Sequence, residues 1–367
     1  MVNQSTRIAI ILIVLVTGIE LLGFFSPTAL TWGFHYLGFL PAYEAALFCL
    51  LVVLCIIYSL KGNVEHHVDS IAKTMEQRPT VFLVVVGLLF VCIAVAFRIT
   101  TPLLGDSFFI VKNFSDAIRG SAPLLFRNEP LATYYFWFIV HLYGAPTYAA
   151  FLKGFFIGEL LLGIGFIITT FFIVRYCDID RRMKFITFIL LLVLPYMQLF
   201  FGYIETYAVV LFFLSVYTLV IVLYYRGTAP FVIVPIVFLA LALIHYLALI
   251  LFPSLLLLAY DEYRANGKRN LTSGFVAAAG TFIVLLMMVN FDLDQFTAAV
   301  PHHHYLSLTT AIDSADADSQ AYTLFSSFHF LDLFNYFFLM APMSIILIVI
   351  AATRGGMGIF EIGRAHV

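Results

Sequence analysis

Charged residues are scarce in this sequence. Only 11% of its 367 residues are Asp, Glu, Lys or Arg, and the formal net charge is −2. Such a chain offers no basic surface for nucleic acid and no hydrophilic linker between soluble domains. The four cysteines form no CxxC pair, which argues against a disulfide framework and against a thiolate metal site. Without a P-loop, GxGxxG, HExxH or GxSxG motif in a suitable context, soluble nucleotide-dependent chemistry has no support either.

Hydrophobic sequence is abundant instead. Hydrophobic residues make up 63% of the chain, which includes 40 Phe and 20 Tyr, and the mean hydropathy is +1.03. A helix needs about 20 apolar residues to cross about 30 Å of hydrocarbon. Apolar runs near or above this length occupy residues 8–25, 43–60, 80–97, 147–174, 185–202, 204–225, 275–290 and 335–353. The pattern predicts an all-α fold, a polytopic bundle of membrane helices.

The distribution of Lys and Arg predicts the orientation of these helices. Basic residues collect at 175–184 and 261–270, which we expect in the cytoplasm, whereas 291–334 holds six aspartates and no Lys or Arg. The apolar stretch 231–260 is interrupted by His245, and parity favours two short spans with His245 at an outer turn. Because each span moves the chain to the opposite side of the membrane, the same count requires residues 131–143 to be an interfacial helix and not a crossing. This gives about ten spans.

The same parity places residues 98–144 outside, although this loop is basic. It is rich in Phe and Leu, so we expect short amphipathic helices that lie on the membrane surface. We divide the chain into two amino-terminal spans with a cytoplasmic loop at 1–79 and a membrane catalytic domain at 80–360. Residues 361–367 read EIGRAHV, which resembles the translation of a common sequencing adapter. We therefore expect this heptapeptide to be foreign and the natural chain to continue.

The first outer loop combines acidic and basic side chains at a membrane surface. A carboxylate can activate an acceptor hydroxyl or hold a metal ion, while Lys and Arg bind a phosphate leaving group. These are the requirements of sugar transfer from a lipid phosphate. The alternative, which spacing alone favours, is a solvated loop with weak surface ion pairs. The acids are Asp106, Asp116 and Glu129, and the bases are Arg98, Lys112, Arg119 and Arg127.

Two motifs in this loop resemble the GT-C class of integral-membrane glycosyltransferases. GDS at residues 105–107 follows a core span, and NEPLATYYFWFIVHLYG at 128–144 resembles a segment that often reads KPPL in aminoarabinose-transferase-like members. This chain has one proline fewer, and Glu129 stands in place of a base. The protein-mannosyltransferase-like members belong to the same superfamily.

The resemblance implies roles for particular residues. Asp106, and after it Asp116, would act in catalysis, with Asp106 as general base or as ligand to a divalent cation. The basic residues would contact the lipid-linked phosphate. His245 precedes FPSLLLL, where the family often has a polar or basic residue, and we add it with Glu129 to the donor-binding candidates. The donor-binding candidates are Lys112, Arg119, Arg127, Glu129 and His245.

Acids near or inside the predicted spans are a further group of candidates. Glu205, in GYIETY, is expected at the outer end of two spans, as either a catalytic acid or a structural carboxylate bonded to Tyr203, Tyr207 or a helix amino terminus. For Glu159, inside a span, we favour a structural hydrogen bond within the bundle.

Histidines in the acidic outer loop are candidate substrate contacts. The adjacent His302, His303 and His304 could form a polar loop, contact phosphate or sugar, or bind a divalent cation. His329 shares a predicted helix face with Asp332 and Asn335, and that face would enter the last span from outside.

Together these features predict an inverting glycosyltransferase of the cell membrane, with its active site on the extracytoplasmic side. Its partners would be a polyprenyl-phosphate sugar, a lipid, glycan or protein acceptor, and membrane lipids, and no cofactor is expected beyond the divalent cation. The rival is a transporter or flippase for a lipid-linked saccharide or an anionic solute, supported by Glu20, Glu159 and Glu205 near or within spans.

Overall fold

The computed structural model describes residues 4–26, 28, 33–34, 36–39, 42–60, 64–99, 107–122, 124, 129–142, 147–288 and 325–340. Within these ranges the chain is helical and has no β-strand, which confirms the all-α prediction. The helices are α1 (Gln4–Phe25), α2 (Ala42–Leu60), α3 (Val64–Gln77), α4 (Pro79–Ala96), α5 (Ser107–Ile118), α6 (Pro130–His141), α7 (Tyr148–Tyr176), α8 (Arg181–Leu192), α9 (Tyr207–Tyr225), α10 (Ile233–Ile244), α11 (Phe252–Asn266), α12 (Lys268–Met288) and α13 (Ser327–Met340).

Four of these helices, α2, α4, α7 and α9, are long and apolar enough to cross a membrane. The protein is therefore a membrane protein. Shorter apolar helical segments cover Ile10–Phe25, Ile233–Ile244 and Asn270–Ile283. The bundle of about ten spans and its GT-C-like arrangement remain predictions.

The apolar run at 185–202 does not form one continuous helix. Helix α8 ends at Leu192, and a 3₁₀ helix follows at Pro195–Phe200. Proline has no backbone N–H and disfavours helical geometry at the residue before it, which accounts for the break before Pro195. The 12 residues of α8 extend over only about 18 Å.

The predicted interruption of 231–260 at His245 is confirmed. Helix α10 ends at Ile244, and His245 has an extended backbone with φ −158° and ψ 129°. A 3₁₀ helix at Tyr246–Leu251 then leads into α11. The break places the imidazole at the junction of two short helices.

The chain divides into two compact units, residues 1–70 with 303–367 and residues 71–302. In the first unit, the buried Asn335 of α13 accepts a hydrogen bond at Oδ1 from the backbone N–H of Gly33 at 3.1 Å. Nearby, the rings of Phe34 and Phe338 lie 4.3 Å apart. These contacts connect α13 to the segment after α1.

The second unit, residues 71–302, is built around α7. Gly154 lets α6 approach closely, since a Cβ there would lie 2.9 Å from Val140 Cγ2. The rings of Phe136 and Phe155 stack beside this contact at 4.2 Å. Such aromatic pairs and the burial around them supply most of the packing energy of the interior.

One end of the second unit brings separate chain segments together. Beyond α4, Ile99 donates a backbone hydrogen bond to the Phe201 carbonyl at 2.8 Å. Gly202 follows with φ +94°, and a Cβ at this position would lie 3.3 Å from the Phe156 ring. This left-handed conformation favours glycine and allows the segment before α9 to pack closely against α7.

Candidate active site

Five chain segments of the second unit are linked by pairwise contacts at this end of the bundle. They are the residues after α4, the start of α6, the first half of α7, the segment before α9 and the junction after α10. Each segment contributes a polar or charged side chain. We call this group the carboxylate cluster, and its members are Arg98, Glu129, Glu159, Glu205 and His245.

A hydrogen bond between His245 and Glu129 connects two of these segments. Nε2 of His245 lies 3.0 Å from Oε1 of Glu129, and Nδ1 accepts a hydrogen bond from the Leu247 backbone N–H at 3.1 Å. Because Nδ1 is an acceptor, the proton lies on Nε2, and the neutral imidazole donates it to the carboxylate. His245 therefore orients Glu129 and is not available as a free base.

The two partners of this bond differ in their exposure to solvent. His245 is buried, with a side-chain exposure of 5%, whereas the Glu129 side chain is 25% exposed. The Tyr207 ring stacks on the imidazole with centroids 5.6 Å apart. A partly exposed carboxylate held by a buried, fixed imidazole has the arrangement expected of an oriented general base.

Two further carboxyl groups lie deeper in the unit. Glu159 has no exposed surface and Glu205 is only 6% exposed, and the two groups are close enough to interact electrostatically. The backbone of Gly202 and Tyr203 lies beside the Glu159 carboxylate. Neither Glu159 oxygen, however, reaches hydrogen-bond geometry with any group in the described part of the chain.

The Gly202 and Tyr203 backbone is therefore the nearest described group for the structural hydrogen bond that we expected for Glu159, and that bond stays a prediction. A buried carboxyl group without such a bond is unfavourable by about 1–3 kcal/mol, because water bonds are lost and not replaced. Ionisable groups buried inside membrane segments at such a cost are concentrated at functional sites. The sequence signal for Glu159 is an acid inside a membrane-length apolar run.

Tyr135 and Arg98 flank the carboxylate cluster. The Tyr135 hydroxyl donates to the Gly158 carbonyl at 2.7 Å, and burial, reinforced by the charge of Glu159, raises the pKa of Tyr135 to about 12. The Arg98 guanidinium lies 4.7 Å from the centre of the Phe156 ring. Phe156 precedes Glu159 by one turn of α7, so Arg98 packs on the helix face that carries this acid.

Helix α5 carries the described part of the basic outer loop. Phe114 is buried and contacts the rings of Trp137 and Phe155, which attaches α5 to α6 and α7. Lys112 is exposed on this helix, and Arg119 is exposed directly after it. Asp116 is half-buried at its end, and its backbone carbonyl accepts a hydrogen bond from the Ser121 hydroxyl at 3.0 Å.

The structure thus joins two of the predicted site residues, Glu129 and His245, and Glu205 lies two residues before Tyr207, whose ring stacks on His245. Lys112 and Asp116 lie on α5, and Arg119 follows this helix directly. His329 lies on α13, in the other compact unit, where its backbone N–H donates to the Ser326 hydroxyl. The remaining predicted site residues lie outside the described residues; they are Asp106, Arg127, His302, His303 and His304.

Among the residues that the structure describes, no group of three or more His, Cys, Asp or Glu side chains is arranged to hold a metal ion. The divalent cation was predicted at Asp106, which lies outside those residues. That cation stays a prediction.

Comparisons with models of known protein families, with curated proteins and with solved structures give no match. The function must therefore be argued from the chemistry of this chain's own residues. The resemblance of residues 105–107 and 128–144 to GT-C glycosyltransferases stays a prediction from those two motifs.

Proposed function

We propose that this protein is a membrane glycosyltransferase. It moves a sugar from a polyprenyl-phosphate donor to a lipid, glycan or protein acceptor. The observation that carries the proposal is the carboxylate cluster, in which an oriented, partly exposed Glu129 lies at the same end of the unit as the buried Glu159 and Glu205. Acids of differing exposure in one site suit a reaction that requires a proton acceptor and electrostatic stabilisation.

The reaction we propose is a displacement with inversion at the anomeric carbon. A carboxylate removes the proton of the acceptor hydroxyl as its oxygen attacks that carbon. The bond between the anomeric carbon and the phosphate oxygen breaks, and the lipid phosphate leaves with the electron pair. No nucleotide takes part, in keeping with the absence of a nucleotide-binding motif in the sequence.

Glu129 is the described residue best suited to remove this proton. We first grouped Glu129 and His245 with the donor-binding residues, but a carboxylate repels phosphate and both imidazole nitrogens are in hydrogen bonds. We therefore propose Glu129 as the base and His245 as its positioning residue. Asp106 keeps its predicted role as base or cation ligand, and separate variants test the two acids.

The cations of the outer loop are proposed to hold the lipid phosphate. Lys112 is exposed on α5 and Arg119 directly after it, and Phe114 anchors this helix to α6 and α7. Arg127 would complete this set. Several exposed cations near the membrane surface favour an anionic lipid headgroup by about 1 kcal/mol each.

We propose an extracytoplasmic location for the site, which the direction of α7 supports. Glu159, a member of the carboxylate cluster, lies in the first half of this helix, and Arg175 lies in its last turn. Sixteen residues of α-helix separate them, which corresponds to about 24 Å. Because basic loops tend to remain in the cytoplasm, this arrangement supports a cytoplasmic position for Arg175 and an outer position for the carboxylate cluster in the proposed multi-pass protein.

A transporter of a lipid-linked saccharide or an anionic solute is the second candidate. The observation that favours it is Glu159, a fully buried acid in a membrane-length helix whose oxygens lack hydrogen-bond geometry with described groups. Such acids occur along transport pathways. A transporter would move its substrate without breaking the bond between sugar and phosphate.

The two functions are distinguished by reconstituting the full chain into proteoliposomes with a panel of radiolabelled polyprenyl-phosphate sugars and a cellular lipid extract as acceptor source. A glycosyltransferase releases free polyprenyl phosphate and yields a labelled acceptor. Movement of label across the bilayer with the donor intact would reject the proposal and support transport.

A further inference from the structure

A cavity lies at the other end of the second unit, away from the carboxylate cluster. The last turns of α3, the end of α7 and the start of α8 enclose about 150 Å³. A single water requires only about 10–15 Å³ on the same measure, so the cavity has room for a larger group. Three basic side chains line it, Arg175, Arg181 and Lys184, together with the carboxylate of Glu76.

Packing and hydrogen bonds fix the basic side chains. The Arg175 guanidinium lies 5.9 Å from the centre of the Phe171 ring, and Nζ of Lys184 donates to the Arg175 carbonyl at 3.1 Å. Asp180 caps α8 by accepting from the backbone N–H groups of Arg182 and Met183, which fixes the start of the helix that carries Lys184. The cations therefore converge on the cavity from two helices.

The charge of the cavity is not balanced by its own acid. Three cations face one carboxylate, and the single ion pair, between Arg181 Nη1 and Glu76 Oε2, is long at 3.9 Å. Both of its side chains are substantially exposed, so the pair contributes little. The lining keeps a net positive charge suited to an anion of one or two negative charges.

We propose that this cavity binds the phosphate group of an anionic membrane lipid. Arg175 lies in the last turn of α7, a helix of membrane length, which is where the lipid headgroups begin. Arginine and lysine together suit phosphate, because the guanidinium binds two oxygens and the ammonium acts as a point charge.

The apolar wall of the cavity favours a lipid over free phosphate. Ala72, Met75 and Phe171 line the cavity and are nearly fully buried. A free phosphate would contact only the cations, whereas a lipid would also place its glycerol and first acyl carbons against this wall. The inference does not depend on the proposed glycosyltransferase activity, since it concerns the other end of the unit.

Native mass spectrometry of the full chain, delipidated in a neutral detergent, tests the site. The probes are dioctanoyl phosphatidic acid, dioctanoyl phosphatidylcholine and inorganic phosphate. We expect one tightly retained phosphatidic acid that neither phosphatidylcholine nor inorganic phosphate displaces at equal concentration. Equal displacement by inorganic phosphate would overturn the lipid assignment, and equal retention of phosphatidylcholine would overturn the anion site.

Substitutions of the lining residues test whether phosphatidic acid binds in this cavity. Arg175→Gln and Lys184→Gln should each weaken phosphatidic acid binding about tenfold, as expected for loss of one charge-assisted contact. Glu76→Gln should strengthen it, because the competing carboxylate is removed, and a gain of binding cannot arise from misfolding.

Arg264→Gln is the matched control. Arg264 is likewise in the last turn of a helix and lies 5.7 Å from the centre of the Tyr260 ring, but it does not line the cavity. We expect wild-type binding in this variant. Unchanged binding in Arg175→Gln, Lys184→Gln and Glu76→Gln together, or an equal loss in Arg264→Gln, would overturn the proposal.

Discussion

The Nε2 atom of His245 lies 3.0 Å from Oε1 of Glu129. His245, directly after α10, therefore orients Glu129, directly before α6. This bond fixes the direction of a carboxylate that is still partly open to solvent. The buried imidazole can do this because its other nitrogen accepts a hydrogen bond from the Leu247 backbone.

Replacing His245 should impair catalysis through Glu129. His245→Ala leaves Glu129 without its donor and Leu247 without its acceptor, and we expect about a 10- to 100-fold lower rate of donor discharge. Loss of the buried bonds should also lower the free energy of unfolding by about 1–3 kcal/mol. His245→Gln, which retains a donor and an acceptor, should recover part of the rate; equal rates for wild type and His245→Ala would contradict the positioning role.

Glu159→Gln should change stability and activity in opposite directions. The substitution removes a buried acid and its electrostatic interaction with Glu205 while keeping the side-chain shape. We expect a higher thermal unfolding temperature, because a carboxyl group that can ionise is costlier to bury than an amide, together with a lower rate of donor discharge. Thermal unfolding in detergent and the discharge assay measure the two effects. An unfolding temperature well below that of the wild type would show that Glu159 is structural.

The sequence predicted much of the fold but less of the site. The helical class and the break at His245 followed from hydrophobic runs and one polar interruption, which are local signals. The bond between His245 and Glu129 could not be predicted, because it depends on which distant segments pack together. For Glu159, the sequence shows that an acid lies inside an apolar run, but not which groups pack against its carboxylate.

Close packing around α7 gives a test of the fold. A Cβ at Gly163 would overlap the ring of Phe90 and approach Phe200 Cβ at 3.0 Å. Gly163→Ala should therefore lower the thermal unfolding temperature, despite the higher helix propensity of alanine. Gly87→Ala in α4 is the control, because a Cβ there has nothing within 4 Å. If both variants unfold at the wild-type temperature, the close approach of α4 to α7 is wrong.

Cys177, in the loop between α7 and α8, reports on the basic end of the unit. Burial raises the pKa of the Cys177 thiol, while the charges of Lys184 and Arg226 lower it. The thiolate is the reactive form, so the midpoint of the labelling rate against pH should lie above that of a free thiol, about 8.5.

Lys184→Gln removes one of the two cations, and the labelling midpoint of Cys177 should then move to a still higher pH. Labelling with a maleimide between pH 7 and pH 10, followed by mass spectrometry of the Cys177 peptide, measures both midpoints. A midpoint in the variant at or below that of the wild type would contradict the proximity of Lys184 to this thiol.

The most direct test of the central claim is the release of polyprenyl phosphate by Glu129→Gln in the reconstituted assay. The control is Glu44→Gln in α2, which alters a carboxylate that accepts a hydrogen bond from Tyr43 and lies in the other compact unit. We predict at least about a 100-fold lower rate for Glu129→Gln, the scale of a lost general base, and a wild-type rate for Glu44→Gln. A folded Glu129→Gln protein that discharges the donor at the wild-type rate would contradict the account.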